Sequence, residues 1–404
     1  MKVAFPKSGG LPIWELPVLN ELRRNEVNAK FILPRKDERI NQDSYEVART
    51  LRGTPLINRV INGPLVSQLM NGLFNIRTTD LTSKFWNIKK IVSKYDIIHL
   101  VDDVMYPNKQ FVELNKKCVM TVWENIPFNP MSILKKPTST AWNSIKSKID
   151  HYMPVSEDSA YLLRLNGISE ERITKIHPGI DTDFFKKNID EELLNTINSE
   201  NKFMLLGVGR VIYEKGITFT LRTLRKLKDY GRNILYVHIG TGDYSFLKYL
   251  TRMTELLGIT ENVKIIGSIP YSEMPKYYSM ADAFILPSVP NFYWEEQLGY
   301  ATLESMSCGT VPIVSDSTAT REVVPDECGF RVPSGNVQQM CEAVEKIMDS
   351  PEESRKISHN GVIHVNNEYN ARKTAKNYKK VYENIMSDST KNFINLNQTG
   401  KIIK

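Results

Sequence analysis

The chain has 404 residues, 41% of them hydrophobic, a size and composition that set two cored domains as the expectation. No apolar run reaches the ~18 residues of a membrane span, and the start, MKVAFPKSGG, enters a strand directly without a leader's apolar stretch. The net charge is +7, with the whole basic excess in residues 1–150. Such asymmetry points to an anionic membrane surface or anionic acceptor on that side, with a solvated Lys-rich surface at equal weight; no nucleic-acid motif accompanies it. Cys118, Cys308, Cys328 and Cys341 are scattered, with no Cys-x-x-Cys, as free thiols of a reducing, cytoplasmic compartment would be.

In chain order, Lys2–Phe5 reads as a strand and residues 13–24 as a helix, with Ser8-Gly9-Gly10 between them. A Gly pair in this position lets backbone approach a ligand closely. Ala29–Leu33 is the second strand. Residues 37–80 are poorly periodic and contain an apolar patch, Leu65–Phe74, read first as a packed helix and second as a membrane-facing one. Lys84, Lys89, Lys90 and Lys94 mark an amphipathic helix, and Tyr95–Leu100 a buried strand with Asp102-Asp103 in the loop beyond. His99 is read as a structural strand-end residue before an acceptor-site one. After the strand Cys118–Val122, Trp123 can stack on a sugar face and Glu124 can hold a hydroxyl, or both can simply pack. His151–Pro154 is a strand, Ser156 caps a helix that Gly167 ends, and Ile173–Ile176 leads into a turn at His177-Pro178-Gly179.

Residues 186–201, charged and Asn-rich, read as a linker between a first domain at 1–185 and a second at 202–370. The second opens with the strand Lys202–Leu206, then Gly207-Val208-Gly209-Arg210 and Lys215-Gly216, then a helix from Ile217. Arg210 can chelate phosphate oxygens bidentately and Lys215 adds a point charge, so both can converge on one diphosphate. Strands Ile234–Ile239 and Val263–Gly267 follow, each ending in glycine, the latter continuing as Ser268-Ile269. A helix Tyr271–Met280 precedes the strand Ala283–Leu286. Pro287-Ser288 and an aromatic, acidic loop come next, ending in Glu295-Glu296-Gln297-Leu298-Gly299. Gly299 opens a helix that Gly309 closes, and Val311–Val314 is another strand. A loop at a strand's carboxyl end facing a helix N-terminus is an anion site. Glu296 and Glu304, bracketing it, are suited to sugar hydroxyls. Helices Gly335–Met348, Pro351–His364 and Ala371–Met386 complete the chain before a polar tail, 388–404.

Four stretches resemble the signature of the family-4 retaining glycosyltransferases: Gly209-Arg210 with Lys215-Gly216; Pro287-Ser288; Glu296-x-x-Gly299; and Glu304-Ser305-Met306-Ser307-Cys308-Gly309 with Pro312-Ile313-Val314. The resemblance implies the GT-B fold: an α/β protein of two Rossmann-like domains with parallel sheets facing across a cleft, the last helix (371–387) returning to the first domain. It implies transfer of a hexose from a UDP- or GDP-linked sugar to a hydroxyl acceptor, lipid-linked or anionic, with no cofactor and no metal. The catalytic residues would be Arg210, Lys215 and Glu296. Substrate would be bound by Gly9, Gly10, Gly209, Ser268, Ile269, Gln297, Leu298, Gly299 and Glu304, with Trp123 and Glu124 standing where many members carry His-Asp. That departure leaves the acceptor side open. Asp181-Thr182-Asp183 matches Asp-x-Asp but lies in a linker-side turn and is not read as a metal site. A non-catalytic nucleotide-sugar-binding scaffold and a sugar-nucleotide epimerase on the same fold are the alternatives.

Overall fold

The computed structural model describes residues 1–6, 15–33, 43, 45–47, 88–101, 111–123, 142–291, 295–296 and 298–387. It divides into two units: Met1–Gly179 joined by the chain from Ala371 onward, and Ile180–Asn370. The patch at residues 65–74 lies outside the described residues.

The first unit is built on a parallel sheet of β1 (Lys2–Pro6), β2 (Asn28–Leu33), β3 (Tyr45–Val47), β4 (Ile97–Val101), β5 (Lys117–Val122) and β6 (His151–Pro154), in the order β3-β2-β1-β4-β5-β6. Alternation sends Val3 and Phe5 of β1 to one face and Ala4 to the other. Every residue of β4 is buried, as expected of a central parallel strand covered on both sides. α1 (Leu16–Arg24) starts with a proline in its first turn, buries Val18, Leu19 and Leu22, and ends on Arg23 and Arg24, which favour the negative helix terminus. Short α2 (Ile88–Val92) precedes β4. Ser156 caps α3 (Glu157–Leu165), accepting from the Ser159 amide at 3.2 Å. Ile173–Ile176 is not a full strand: it runs beside β6, with Thr174 and Ile176 donating to Tyr152 and Pro154 carbonyls, and then turns away.

The second unit repeats the plan. Its strands are β7 (Phe203–Val208), β8 (Ile234–Ile239), β9 (Val263–Gly267), β10 (Ala283–Leu286), β11 (Val311–Ser315) and β12 (Phe330–Val332), all parallel in the order β12-β11-β10-β7-β8-β9. Counted within each unit, both sheets have the doubly wound order 3-2-1-4-5-6. The helices are α4 (Glu191–Ile197), α5 (Ile217–Asp229), α6 (Tyr244–Leu256), α7 (Met274–Met280), α8 (Tyr300–Ser307), α9 (Thr318–Val323), α10 (Val337–Asp349) and α11 (Pro351–Glu368).

Two of these helices lie where the sequence reading assigns none. Residues 186–201 are not a linker: Asp190 caps α4 by accepting from the Leu193 amide and pairs with Lys276 at 3.2 Å, so the segment belongs to the second unit. α6 carries the i, i+3/i+4 apolar period of Phe246, Leu247, Leu250 and Met253, packed on the core, which the sequence reading passed over between two strands.

α12 (Ala371–Met386) packs in the first unit, with Tyr378, Val381, Tyr382 and Ile385 in one cluster with Val3, Phe5, Leu19 and Leu22. His99 is structural: its ring bonds the Tyr382 hydroxyl at 2.6 Å and Thr121 at 2.7 Å. Gly179 is required by close approach, since a Cβ there would lie 2.4 Å from the Ala371 Cα. No described helix is long and apolar enough to cross a membrane.

Candidate functional site

In a doubly wound sheet the binding crevice lies beyond the carboxyl ends of the strands where the order reverses. In the second unit those are β7 and β10, and the residues after them carry the motifs. The Gly209 amide donates to the Ile239 carbonyl at 3.0 Å and Val211 donates to Thr241 at 2.8 Å, fixing the turn against the end of β8. Gly216, at φ +70°, ends the turn at Lys215; a Cβ there would sit 1.9 Å from the Pro287 carbonyl oxygen. The Val289 amide donates to the Glu214 carbonyl at 2.8 Å. The two loops are therefore locked together by backbone.

That lock brings Lys215, Ser288 and Glu296 to one point. Lys215 Nζ lies 2.6 Å from Glu296 Oε2, and Ser288 Oγ donates to the same oxygen at 2.9 Å. The lysine and glutamate side chains are each 14% exposed. Among the described residues Glu296 Oε1 has no hydrogen-bond partner. Glu296 lines a cavity with Leu286, Pro290, Val314, five hydroxyl residues (Ser288, Thr302, Ser315, Ser317 and Thr320) and two further acids, Glu295 and Asp316. Arg210, five residues before Lys215 in the same turn, is exposed, and no described residue bonds its guanidinium.

Glu304, on α8, is buried, and each of its oxygens is held by a tyrosine: Oε1 accepts from Tyr271 at 2.8 Å and Oε2 from Tyr278 at 2.7 Å. Burial pushes its carboxyl up to about 7 and outweighs the two hydrogen bonds, which lower it. Gly299, at φ +66°, precedes α8, and no side chain caps that helix. Its first turn is thus suited to an anion.

Residues 189–363 match the family model for glycosyl transferases group 1. That stretch is thus similar to a group 1 glycosyl transferase domain, over a little under half of the chain. An uncharacterized glycosyltransferase of Methanocaldococcus jannaschii is 29% identical over 44% of this chain and 45% of its own length. A GDP-mannose-dependent alpha-(1-6)-phosphatidylinositol monomannoside mannosyltransferase of Mycolicibacterium smegmatis is 28% identical over 43% and 42%. The chain thus spans about half the length of the curated relatives it matches. The crystal structure of Anabaena HepE in complex with UDP-glucose superposes with a TM-score of 0.75 at 16% identity, covering 95% of this chain and 100% of that one. That likeness establishes the GT-B fold.

Within the group 1 domain the structure brings Lys215 and Glu296 together and places Gly209, Arg210, Leu298 and Gly299 on the adjoining loops. Ser268 is exposed and Ile269 half-buried, just beyond β9. Trp123 is half-buried directly after β5, in the first unit. Gly9, Gly10, Glu124 and Gln297 lie outside the described residues. The Asp-x-Asp match has a local role: Asp181 Oδ1 accepts from the amides of Asp183 and Phe184.

The group 1 domain also uses residues that sequence reasoning missed. Tyr271 and Tyr278 stand seven apart, the spacing of one helix face, and buried tyrosine hydroxyls need partners. His238 is the other miss: Nε2 donates to the Gly209 carbonyl at 3.1 Å, so Nδ1 accepts from the Tyr236 hydroxyl at 2.8 Å. Burial holds His238 down to about 4, so it is a neutral strut beneath the Gly209-Arg210 turn. Its signal was a histidine inside a strand, Ile-Leu-Tyr-Val-His-Ile, that is otherwise nearly all apolar.

Proposed function

We propose that the protein is a retaining glycosyltransferase that moves a hexose from a nucleotide-diphosphate sugar to a hydroxyl acceptor without a metal. One observation carries this reading. Glu296 is pinned through Oε2 by Lys215 and Ser288, and its side chain lines a cavity with hydroxyl residues at the switch point of the sheet. A carboxylate so held is pre-oriented to accept sugar hydroxyls.

As the bond from sugar carbon to phosphate oxygen breaks, negative charge grows on the diphosphate. Arg210 offers a bidentate fork for it, and Lys215, whose ammonium carries three donors, can hold Glu296 and a phosphate oxygen together. The first turn of α8, after Leu298-Gly299, adds its dipole. Glu296 also places negative charge beside the sugar carbon that becomes cation-like. Glu304 takes the ribose hydroxyls, and backbone near Ser268-Ile269 the base. The relative named as GDP-mannose-dependent and the HepE complex with UDP-glucose support a nucleotide-sugar donor.

The test is a thermal-shift titration with UDP, GDP and ADP, with and without EDTA, followed by product formation from UDP-glucose and GDP-mannose. One nucleotide should raise Tm equally in both conditions. Arg210→Ala should then lower turnover on the order of 100-fold with Tm unchanged. Turnover that EDTA abolishes, or wild-type turnover from Arg210→Ala, overturns the reading.

A further inference from the structure

We propose that Tyr271 is a built-in competitor of the donor's ribose at the donor site. Its hydroxyl occupies the Glu304 oxygen that the donor's ribose takes, so the nucleotide binds by exchanging one donor for another. This rests on the reading of Glu304 as the ribose acceptor.

The two tyrosines on Glu304 are not equivalent. Tyr278 belongs to α7, is fully buried, and its ring meets Phe185 and Phe284 edge-on at 6.1 Å each. It is fixed beneath the carboxylate. Tyr271 lies before α7, four residues past the end of β9 and two past Ile269, and is only half-buried. Its ring lies nearly parallel to Phe184 at 5.9 Å and edge-on to Phe185 at 5.4 Å. Tyr271 has aromatic contacts of its own, but unlike Tyr278 part of its side chain stays accessible, two residues beyond Ile269.

A buried carboxylate cannot be left bare: losing a donor costs the desolvation penalty of that oxygen. Only a ligand that brings its own hydroxyl can displace Tyr271 without that cost. A ribose diol does so and a dideoxyribose does not, and rejection of an analogue lacking a hydroxyl is where such sites discriminate most strongly. Tyr271 thereby keeps Glu304 satisfied until a ribonucleotide arrives, and lowers the affinity for its ribose diol by the bond that must be given up.

The experiment measures affinity of wild type and Tyr271→Phe for UDP and GDP and for their 2′,3′-dideoxy analogues by calorimetry. Removing the competing hydroxyl should tighten ribonucleotide binding about tenfold and leave the dideoxy analogue within about twofold, the scale of one hydrogen bond to a charged group. An equal change for both ligands, or a loss of ribonucleotide affinity, overturns the proposal. Should the variant not fold, a crystal structure of wild type with the bound nucleotide decides: a ribose hydroxyl on Glu304 with Tyr271 moved away supports exchange, and Tyr271 still on Glu304 overturns it. If neither UDP nor GDP binds wild type, the reading of Glu304 as ribose acceptor falls first and takes this proposal with it.

Discussion

Ser288 and Lys215 converge on one oxygen of Glu296, and the effect of removing either follows from what stays behind. Ser288→Ala leaves the ion pair but lets the carboxylate turn. Loss of a hydrogen bond to a charged group costs about 1.5–3 kcal/mol, so kcat should fall roughly tenfold or more while the donor's KM moves little. Unchanged kcat in steady-state kinetics would show that Ser288 does not orient Glu296. Glu304 gives a prediction in pH. Its carboxyl stands at about 7 in the folded protein against 4.5 for an ordinary glutamate. Between those values the folded state holds a proton that the unfolded chain has released, so this group's contribution to stability falls as pH rises through 7. His238 and His151, both held down to about 4 by burial, act in the opposite sense below 6.5. The informative quantity is therefore the difference from Glu304→Gln. Between about pH 6 and pH 8 wild type should lose about 1 kcal/mol more than the variant in urea unfolding. Parallel curves would mean that Glu304 does not titrate there.

Among the elements, the turn from β7 to α5 and the loop after β10 depend on glycines for reasons of space. Gly240, at φ +151°, has no room for a side chain, because a Cβ would meet the Gly209 carbonyl oxygen at 1.8 Å. Gly216 meets the Pro287 carbonyl in the same way. Gly216→Ala should cost at least ~2 kcal/mol in denaturant unfolding and loosen nucleotide binding, since the clash pushes apart the two loops that join Lys215 to Glu296. An unaltered unfolding midpoint would mean the loops are not locked as described. These glycines show what was legible in the chain. The sequence displays Gly-Arg, Lys-Gly, Pro-Ser and the two glutamates, because catalytic loops punctuate strands with residues that stand out from an apolar background. The strands of the second unit were readable for the same reason, as short apolar runs ending in glycine or proline. Partners across space were not. Tyr271 and Tyr278 are 33 and 26 residues from Glu304, and nothing in local spacing says that α7 lies against α8. Lys215 and Glu296 were both singled out, yet as separate contacts to a phosphate and a sugar, because their bond spans 81 residues. α4 was missed since Asn-rich, acidic sequence reads as linker until Asp190 is seen capping a helix.

At the scale of the molecule, the second unit is one continuous stretch and the first is not. A fragment of residues 180–370 should fold by itself, with a cooperative thermal transition and the nucleotide response of the whole chain. A fragment of residues 1–179 should not, because Val3, Phe5, Leu19 and Leu22 share their cluster with α12. Adding a peptide of residues 371–386 should restore structure to it by circular dichroism. A cooperative transition from residues 1–179 alone would show that α12 is dispensable. The discontinuity also sets a schedule. On a ribosome the last helix of the first unit emerges only after about 190 further residues have been made. At roughly 5–20 residues per second this is a wait on the order of 10 to 40 s. Through that interval the apolar patch meant for Tyr378, Val381 and Tyr382 faces solvent or a chaperone, so the unit that begins synthesis first is the one that matures last.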